Sequence, residues 1–324
     1  MSLRFRSLIR LVLALAVAGA CSPGYAQQSV NPRILVGFPA GGAPDAIARA
    51  FAEHLRQTSE LTVVVDNRPG AAGKIAIDAL LAAPADGLTL AVVPSTMLGL
   101  LPHIMKSARY DAVLDVQGVG NLAEYGFGIA AGPASGATDI ASYRAWAAAN
   151  PKQSGFATPG IGTPQHFLGA QLQKALNIEM AHVPYKGGAL AINDVIGGQV
   201  PILISTEQLL VPYEGKGRLR MLMVTSRERN PRLPDVPTAR EAGLPQLEAN
   251  DWFGLFVKAG TPQAKLEEWR AAARKVLQSP GYREALSKMG YKVAGGDADL
   301  TKQVAADQAA WTERFRLSGF KAAE

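Results

Sequence analysis

The sequence predicts an α/β protein of two lobes, each a mostly parallel sheet flanked by helices. Three observations point there. Short apolar runs alternate with helix-length segments, the pattern of βαβ units. One construction, a strand followed by a glycine turn and a helix N-terminus, occurs once in each half of the chain, at residues 34–45 and 155–166. The length of 324 residues, with 48% apolar content, exceeds a comfortable single-core size.

The amino end is set apart from the rest. Arg4, Arg6 and Arg10 occur without an acid and precede the apolar run Leu11-Val-Leu-Ala-Leu-Ala-Val-Ala18. Gly24-Tyr25-Ala26 then supplies the small residues a signal peptidase reads, so residues 1–26 are expected to be a secretory signal cleaved after Ala26. Its apolar part is too short to span a membrane, and no other segment approaches the roughly 20 residues required. Ala18-Gly19-Ala20-Cys21 offers a rival, lipoprotein-like processing site. Cleavage removes three arginines from a balance of 33 basic and 27 acidic residues, leaving about +3. The pI near 9.4 is therefore no argument for nucleic acid. The one cysteine lies in the leader, so the exported chain has no disulfide.

The elements follow in order. Ile34-Leu-Val-Gly-Phe38 reads as a strand buried on both faces. Pro39 ends it, and Gly41-Gly42 turns the backbone without a Cβ penalty. Pro44 suits the first position of a helix and Asp45 its first turn, with Ala48, Phe51, Ala52 and Leu55 continuing at helical spacing. Residues 61–66 form a strand, 67–70 a turn, 74–83 a helix, 85–87 a turn and 88–93 a strand. Residues 119–131 are a long, glycine-broken strand able to leave one lobe and enter the other. A helix at 142–150 precedes the second construction, where Thr163 caps a helix that has Pro164 at its first position. Residues 189–196 are helical and 197–205 lead into a strand. Residues 217–226 read as a strand returning to the first lobe, and helices close the chain from 262 to about 320.

Free N–H groups at a helix N-terminus bind anions without a lysine or arginine. Neither nucleotide fingerprint is present: G-x-G-x-x-G is absent, and Gly73-Lys74 is followed by Ile75 where a P-loop needs Ser or Thr. A smaller anion is indicated. If the two turns face each other, four charge-assisted hydrogen bonds of roughly 1.5–3 kcal/mol each supply on the order of 8 kcal/mol, near micromolar affinity. For catalysis the chain lacks a thiol after processing, a G-x-S-x-G elbow and an H-E-x-x-H motif. No two histidines have metal-ligand spacing.

Single residues keep two readings. His166, in a helix first turn, reaches a ligand or makes a loop hydrogen bond. Asp45 stabilises its own helix or meets a ligand hydroxyl or amine. Ser95-Thr96, just past a strand's carboxyl end, either donate to a ligand or cap a helix. Phe38 walls a pocket or joins the core. Lys186 is a counter-charge or a solvated loop lysine, and Tyr185 shares that choice. His54, His103 and His182 read as surface or packing residues.

Taken in order, several segments resemble the Bug family of periplasmic solute-binding proteins, receptors of tripartite tricarboxylate transporters. They are Phe38-Pro-Ala-Gly-Gly-Ala-Pro-Asp45, Val65-Asp-Asn-Arg-Pro-Gly-Ala-Ala-Gly73, Ala85-Asp-Gly-Leu-Thr-Leu90, Gly160-Ile-Gly-Thr-Pro-Gln-His166, Val183-Pro-Tyr-Lys-Gly187, Gly197-Gly-Gln-Val200, Asp235-Val-Pro-Thr-Ala-Arg-Glu-Ala-Gly243, Trp252-Phe-Gly-Leu255 and Ala259-Gly-Thr-Pro262. The resemblance covers nearly the whole mature chain. It implies a two-lobe periplasmic binding protein of the Venus flytrap, type II-like class, with lobe 1 at 27–124 plus 226–324 and lobe 2 at 125–225. It further implies capture of a small carboxylate (an organic acid, aromatic acid or amino acid) by a periplasmic monomer, and delivery to the membrane components of the transporter. Neither cofactor nor metal is expected. Carried onto this chain, the ligand loops are Phe38, Ala40, Gly41, Gly42, Ala43 and Asp45 on one side and Gly160, Ile161, Gly162, Thr163 and His166 on the other; beside that resemblance, Ser95, Thr96, Tyr185 and Ser205 are candidate ligand contacts from the reading of the residues themselves. Ala43-Pro44 stands where a hydroxyl residue is frequent. Thr206-Glu207 is a second point of departure, because an acid there opposes a dicarboxylate unless it faces solvent or a ligand amine. A ligand-sensing subunit is the alternative to an uptake receptor, and an exported enzyme on this scaffold is the third reading.

Overall fold

The computed structural model describes residues 31–59, 61–293 and 300–318. The expected leader and Cys21 lie outside the described residues. From Asn31 onward the chain forms one compact unit.

Strand β1 (Arg33–Val36) is fully buried after Arg33 and pairs in parallel with β2 (Val64–Asn67) and β3 (Thr89–Pro94). Helix α1 (Ala43–Ser59) connects β1 to β2, and α2 (Lys74–Ala82) connects β2 to β3. Each helix buries one apolar stripe, Ile47, Ala48, Phe51 and Leu55 on α1 and Ala76, Ile77 and Leu80 on α2. α1 begins one residue earlier than Pro44, because Gly42 already accepts the first helical bond from Ala46 N–H. β2 starts at Val64 rather than at 61, where its N–H first finds the carbonyl of Pro32.

Strand β4 (Val116–Ala131) crosses the whole molecule. Val116–Gly126 pair antiparallel with β9 (Asn250–Lys258), which itself lies antiparallel against β3. The last five residues of β4 pair with β7 (Ile202–Thr206) on one side and β8 (Arg220–Val224) on the other. Beyond β7 lie β5 (Gly155–Thr158) and β6 (Ala181–Pro184), both parallel to it. The strand order β2-β1-β3-β9-β4-β7-β5-β6, with β8 branching from β4, joins two mostly parallel halves through one antiparallel pair. Register shifts near Gly118 and Asn121 bend that pair, as bulges do.

Residues 217–226 do not return to the first half as the sequence suggested. β8 stays against Gly128–Ala131, and Thr225 N–H donates to the Phe127 carbonyl. The return is made by β9, whose run Asp251-Trp-Phe-Gly-Leu-Phe-Val257 is buried throughout.

Around the sheet pack α3 (Ser95–Ile104), α4 (Ile140–Ala149), α5 (Pro164–Leu176), α6 (Gly188–Ile196) and the single turn α7 (Glu207–Leu210). Then follow α8 (Gln263–Gln278) and α9 (Pro280–Met289), which cover α1, and α10 (Leu300–Ser318), which lies on α3. Asp139 and Ser142 close a reciprocal cap on α4, and the Thr163 hydroxyl accepts from His166 N–H at the head of α5.

Candidate functional site

Three helix N-termini meet at one cavity of about 230 Å³. From the first half come Phe38, Ala40, Gly42 and Ala43 in the turn before α1. From the second come Thr163, Pro164 and Gln165 at the head of α5, and Gly187, Gly188, Ala189 and Leu190 at the head of α6. Gly41 and Gly162 hold φ near +80° and +76°, where a side chain would be strained. α6 starts close against the end of β7: a Cβ at Gly188 would fall 2.4 Å from Leu209 Cδ2 and 2.9 Å from Ser205 Oγ. Among the described residues, the N–H groups of Ala43, Gln165, Ala189 and Leu190 meet no acceptor, as first-turn donors of a helix must unless something outside it accepts. The Ser205 hydroxyl, on a residue 1% exposed, also lines the cavity without a partner among the described residues. Among the described residues, Lys186 is the single charged side chain in that lining.

The head of α6 is the component that the sequence reading passed over. The signal was present, since Val183-Pro-Tyr-Lys-Gly-Gly188 repeats strand, glycine turn and helix a third time.

The expected site residues divide into three groups. Phe38, Ala40, Gly42, Ala43, Thr163 and Ser205 line this cavity. Gly160, Ile161 and Tyr185 line a larger adjoining one of about 790 Å³, which shares Phe38, Pro39, Pro159, Lys186 and Gly187 with the first. The Tyr185 hydroxyl itself donates to Asp194 Oδ2 at 2.7 Å, and burial with that carboxylate raises its pKa to about 12. The rest stand behind the cavity wall. Gly41 N–H donates to Asp45 Oδ2 at 2.9 Å, and the same carboxylate receives Arg49 Nε and Asn67 Nδ2. Burial pushes the Asp45 carboxyl up, but these three donors hold it below its ordinary range. Asp45 thus shapes the turn whose amides face the cavity. Asp45→Ala is expected to cost about 2–3 kcal/mol by freeing buried donors, measurable by urea unfolding.

Ser95 and Thr96 line neither cavity. Ser95 Oγ donates to Asp251 Oδ1 at 2.7 Å, Thr96 N–H donates to the same oxygen at 3.2 Å, and the Tyr125 hydroxyl donates to Oδ2 at 2.8 Å. Burial keeps the Asp251 carboxyl above its ordinary range despite these donors. Tyr125 turns its ring toward the cavity, stacked on Phe253 with centroids 4.3 Å apart.

Gly162 N–H donates to His166 Nδ1 at 3.2 Å, and the His166 ring stacks on His182 at 3.7 Å between centroids and 13° between planes. His182 in turn meets the Thr158 hydroxyl at 2.7 Å and stacks on Phe156. Burial lowers the pKa of His166 to about 4. Burial and the neighbouring ring lower that of His182 to about 3. Both folded values lie below the ordinary 6.5, so the native state refuses protons that the unfolded chain accepts. The stability this pair contributes is complete above pH 6.5 and is lost as pH falls toward 4. Melting temperature is expected to drop by a few degrees between pH 7 and 5, and His182→Gln to flatten that drop. The other histidines are a packing and a surface residue: His54 Nδ1 meets the Ala50 carbonyl, and the exposed His103 has Nε2 at the Thr312 hydroxyl.

Glu207 faces away from the cavity. Its carboxylate receives Ser226 Oγ at 2.7 Å and Asn230 Nδ2 at 2.9 Å in a separate hollow, and burial raises its pKa. The departure noted at Thr206-Glu207 therefore puts only Thr206 in the lining. Among the described residues no group of three or more His, Cys, Asp or Glu could hold a metal ion, and no helix is long and apolar enough to cross a membrane.

Residues 47–315 match the TctC family, the tripartite tricarboxylate transporter family receptor. A protein of the tcbD-tcbE intergenic region in Pseudomonas sp. strain P51 is 36% identical, over 82% of this chain and 79% of that one. The solved structure of the periplasmic binding protein BugD superposes with a TM-score of 0.84 at 28% identity, covering 90% of this chain and 98% of that chain. MatC from Rhodopseudomonas palustris, solved with bound malate, superposes with a TM-score of 0.82 at 26% identity, covering 88% and 98%. The chain belongs to the receptor family of the tripartite tricarboxylate transporters, the Bug-type periplasmic solute-binding proteins.

Proposed function

We propose that this chain is exported by residues 1–26 to the periplasm, captures a small carboxylate between residues 27–124 plus 226–324 and residues 125–225, and delivers it to the membrane components of a tripartite transporter. One observation carries the reading. Three helix N-termini, one from the first half of the sheet and two from the second, line one cavity, and among the described residues their first-turn N–H groups meet no acceptor and the lining includes a lysine and no acid. Such a place favours negative charge through partial positive charge and directed donors together. The family match and the malate bound by MatC support the same ligand class. The ligand contacts we assign are Phe38, Ala40, Gly42 and Ala43 with Thr163, Gln165, Ala189, Leu190 and Ser205, and the lobes close over the ligand like a hinge.

The test is a thermal-shift screen of the mature protein against organic acids and their primary amides. At least one acid is expected to raise the melting temperature by several degrees, because ligand that binds only the folded state stabilises it, while its amide does not. An acid and its amide acting equally would overturn the reading.

A further inference from the structure

The lining of the cavity is uneven in a way that selects among carboxylates. Away from the glycine turns it includes Met97, Tyr125, Leu209 and Phe253, with Phe38 and the α6-head residue Leu190 beside them and a polar side chain, Thr206, whose buried hydroxyl has no partner among the described residues. Tyr125 spends its hydroxyl on Asp251, so carbon is what it offers the cavity. The acids around it are committed elsewhere, Asp45 to Gly41, Arg49 and Asn67, Glu207 to Ser226 and Asn230, and Asp251 to Ser95, Thr96 and Tyr125.

We propose, resting on the carboxylate reading above, that the ligand is a monocarboxylic acid with a single-ring or similarly sized apolar body. Its carboxylate lies at the helix heads with Ser205 and Lys186, and its body lies against Tyr125, Phe253 and Met97. The α-ammonium of an amino acid would enter a lining with no anionic partner among the described residues. The second carboxylate of a short diacid would lose water against aromatic and thioether surface, which disfavours a charge strongly. Size agrees, since an apolar cavity of about 150 Å³ accepts benzene and this one is larger by room for a carboxylate. Burial of the apolar body adds affinity in proportion to the area taken out of water, a gain malate cannot collect.

Isothermal titration of the mature protein with benzoate, cyclohexanecarboxylate, malate, adipate and glutamate tests this. The ring acids are expected to bind at least about 100-fold more tightly than malate and glutamate, with a negative heat-capacity change as apolar surface is buried. Malate, adipate or glutamate binding as tightly as the ring acids would overturn the apolar-body proposal while leaving the carboxylate receptor intact. Binding by none of the five, together with a blank acid screen, would remove both.

Discussion

Leu190→Glu is expected to abolish carboxylate capture, weakening the tightest acid at least about 100-fold, with no loss of thermal stability. Leu190 is the third residue of α6, 53% exposed, and its side chain stands at the cavity. A glutamate at that position is favoured on helical grounds, because an acid in the first turn complements the macrodipole. Standing at the mouth of the α6 head, the new carboxylate would repel an incoming anion. Two like charges some 4–5 Å apart at an effective dielectric near 20 repel by about 3–4 kcal/mol, a factor of at least 100 in affinity. Leu190→Gln keeps the size without the charge and should lose far less. Titration calorimetry with melting curves separates the two effects: unchanged affinity in the glutamate variant would show that α6 is not part of the grip.

Asp251→Leu is expected to cost about 3–5 kcal/mol, lowering the melting temperature by roughly 10 °C. Asp251 sits on β9 opposite Tyr125 on β4, and it gathers donors from Ser95, Thr96, Tyr125 and its own neighbour Trp252. It thereby ties the antiparallel pair that joins the halves to the start of α3. Leucine fills the space but leaves the Tyr125 hydroxyl and the N–H groups of Thr96 and Trp252 without an acceptor in a place water does not reach, and leaves Ser95 only Asp307 Oδ2 at 3.4 Å. Asp251→Asn retains one acceptor oxygen and should lose about half as much. Chemical denaturation of the three proteins decides it, and a leucine variant as stable as the parent would contradict the role given to this carboxylate.

Much of the frame was legible because its determinants are local. Thr163 followed by Pro164 names a helix start from two adjacent residues, and the cap is present with Thr163 accepting from His166 N–H. The long strand through Gly126 and Gly128 was legible from its length and apolar content, and it does span both halves. What the sequence could not convey depends on pairing across distance. Ser95 and Asp251 are 156 residues apart, so nothing local tells a helix-capping serine from a ligand donor. His166 and His182 stack only because β6 pairs beside β5 in one register. Glu207 begins a four-residue helix, too short for periodicity to say which way its carboxylate points.

The claim beneath all of this is that backbone N–H groups from helix starts in both halves grip one carboxylate together. A crystal structure of the mature protein with its tightest acid tests that claim most directly. Carboxylate oxygens are expected within about 3 Å of amide nitrogens from the α1 turn and from the head of α5 or α6. A ligand held by one half alone, or with its carboxylate in solvent and only its body enclosed, would contradict it.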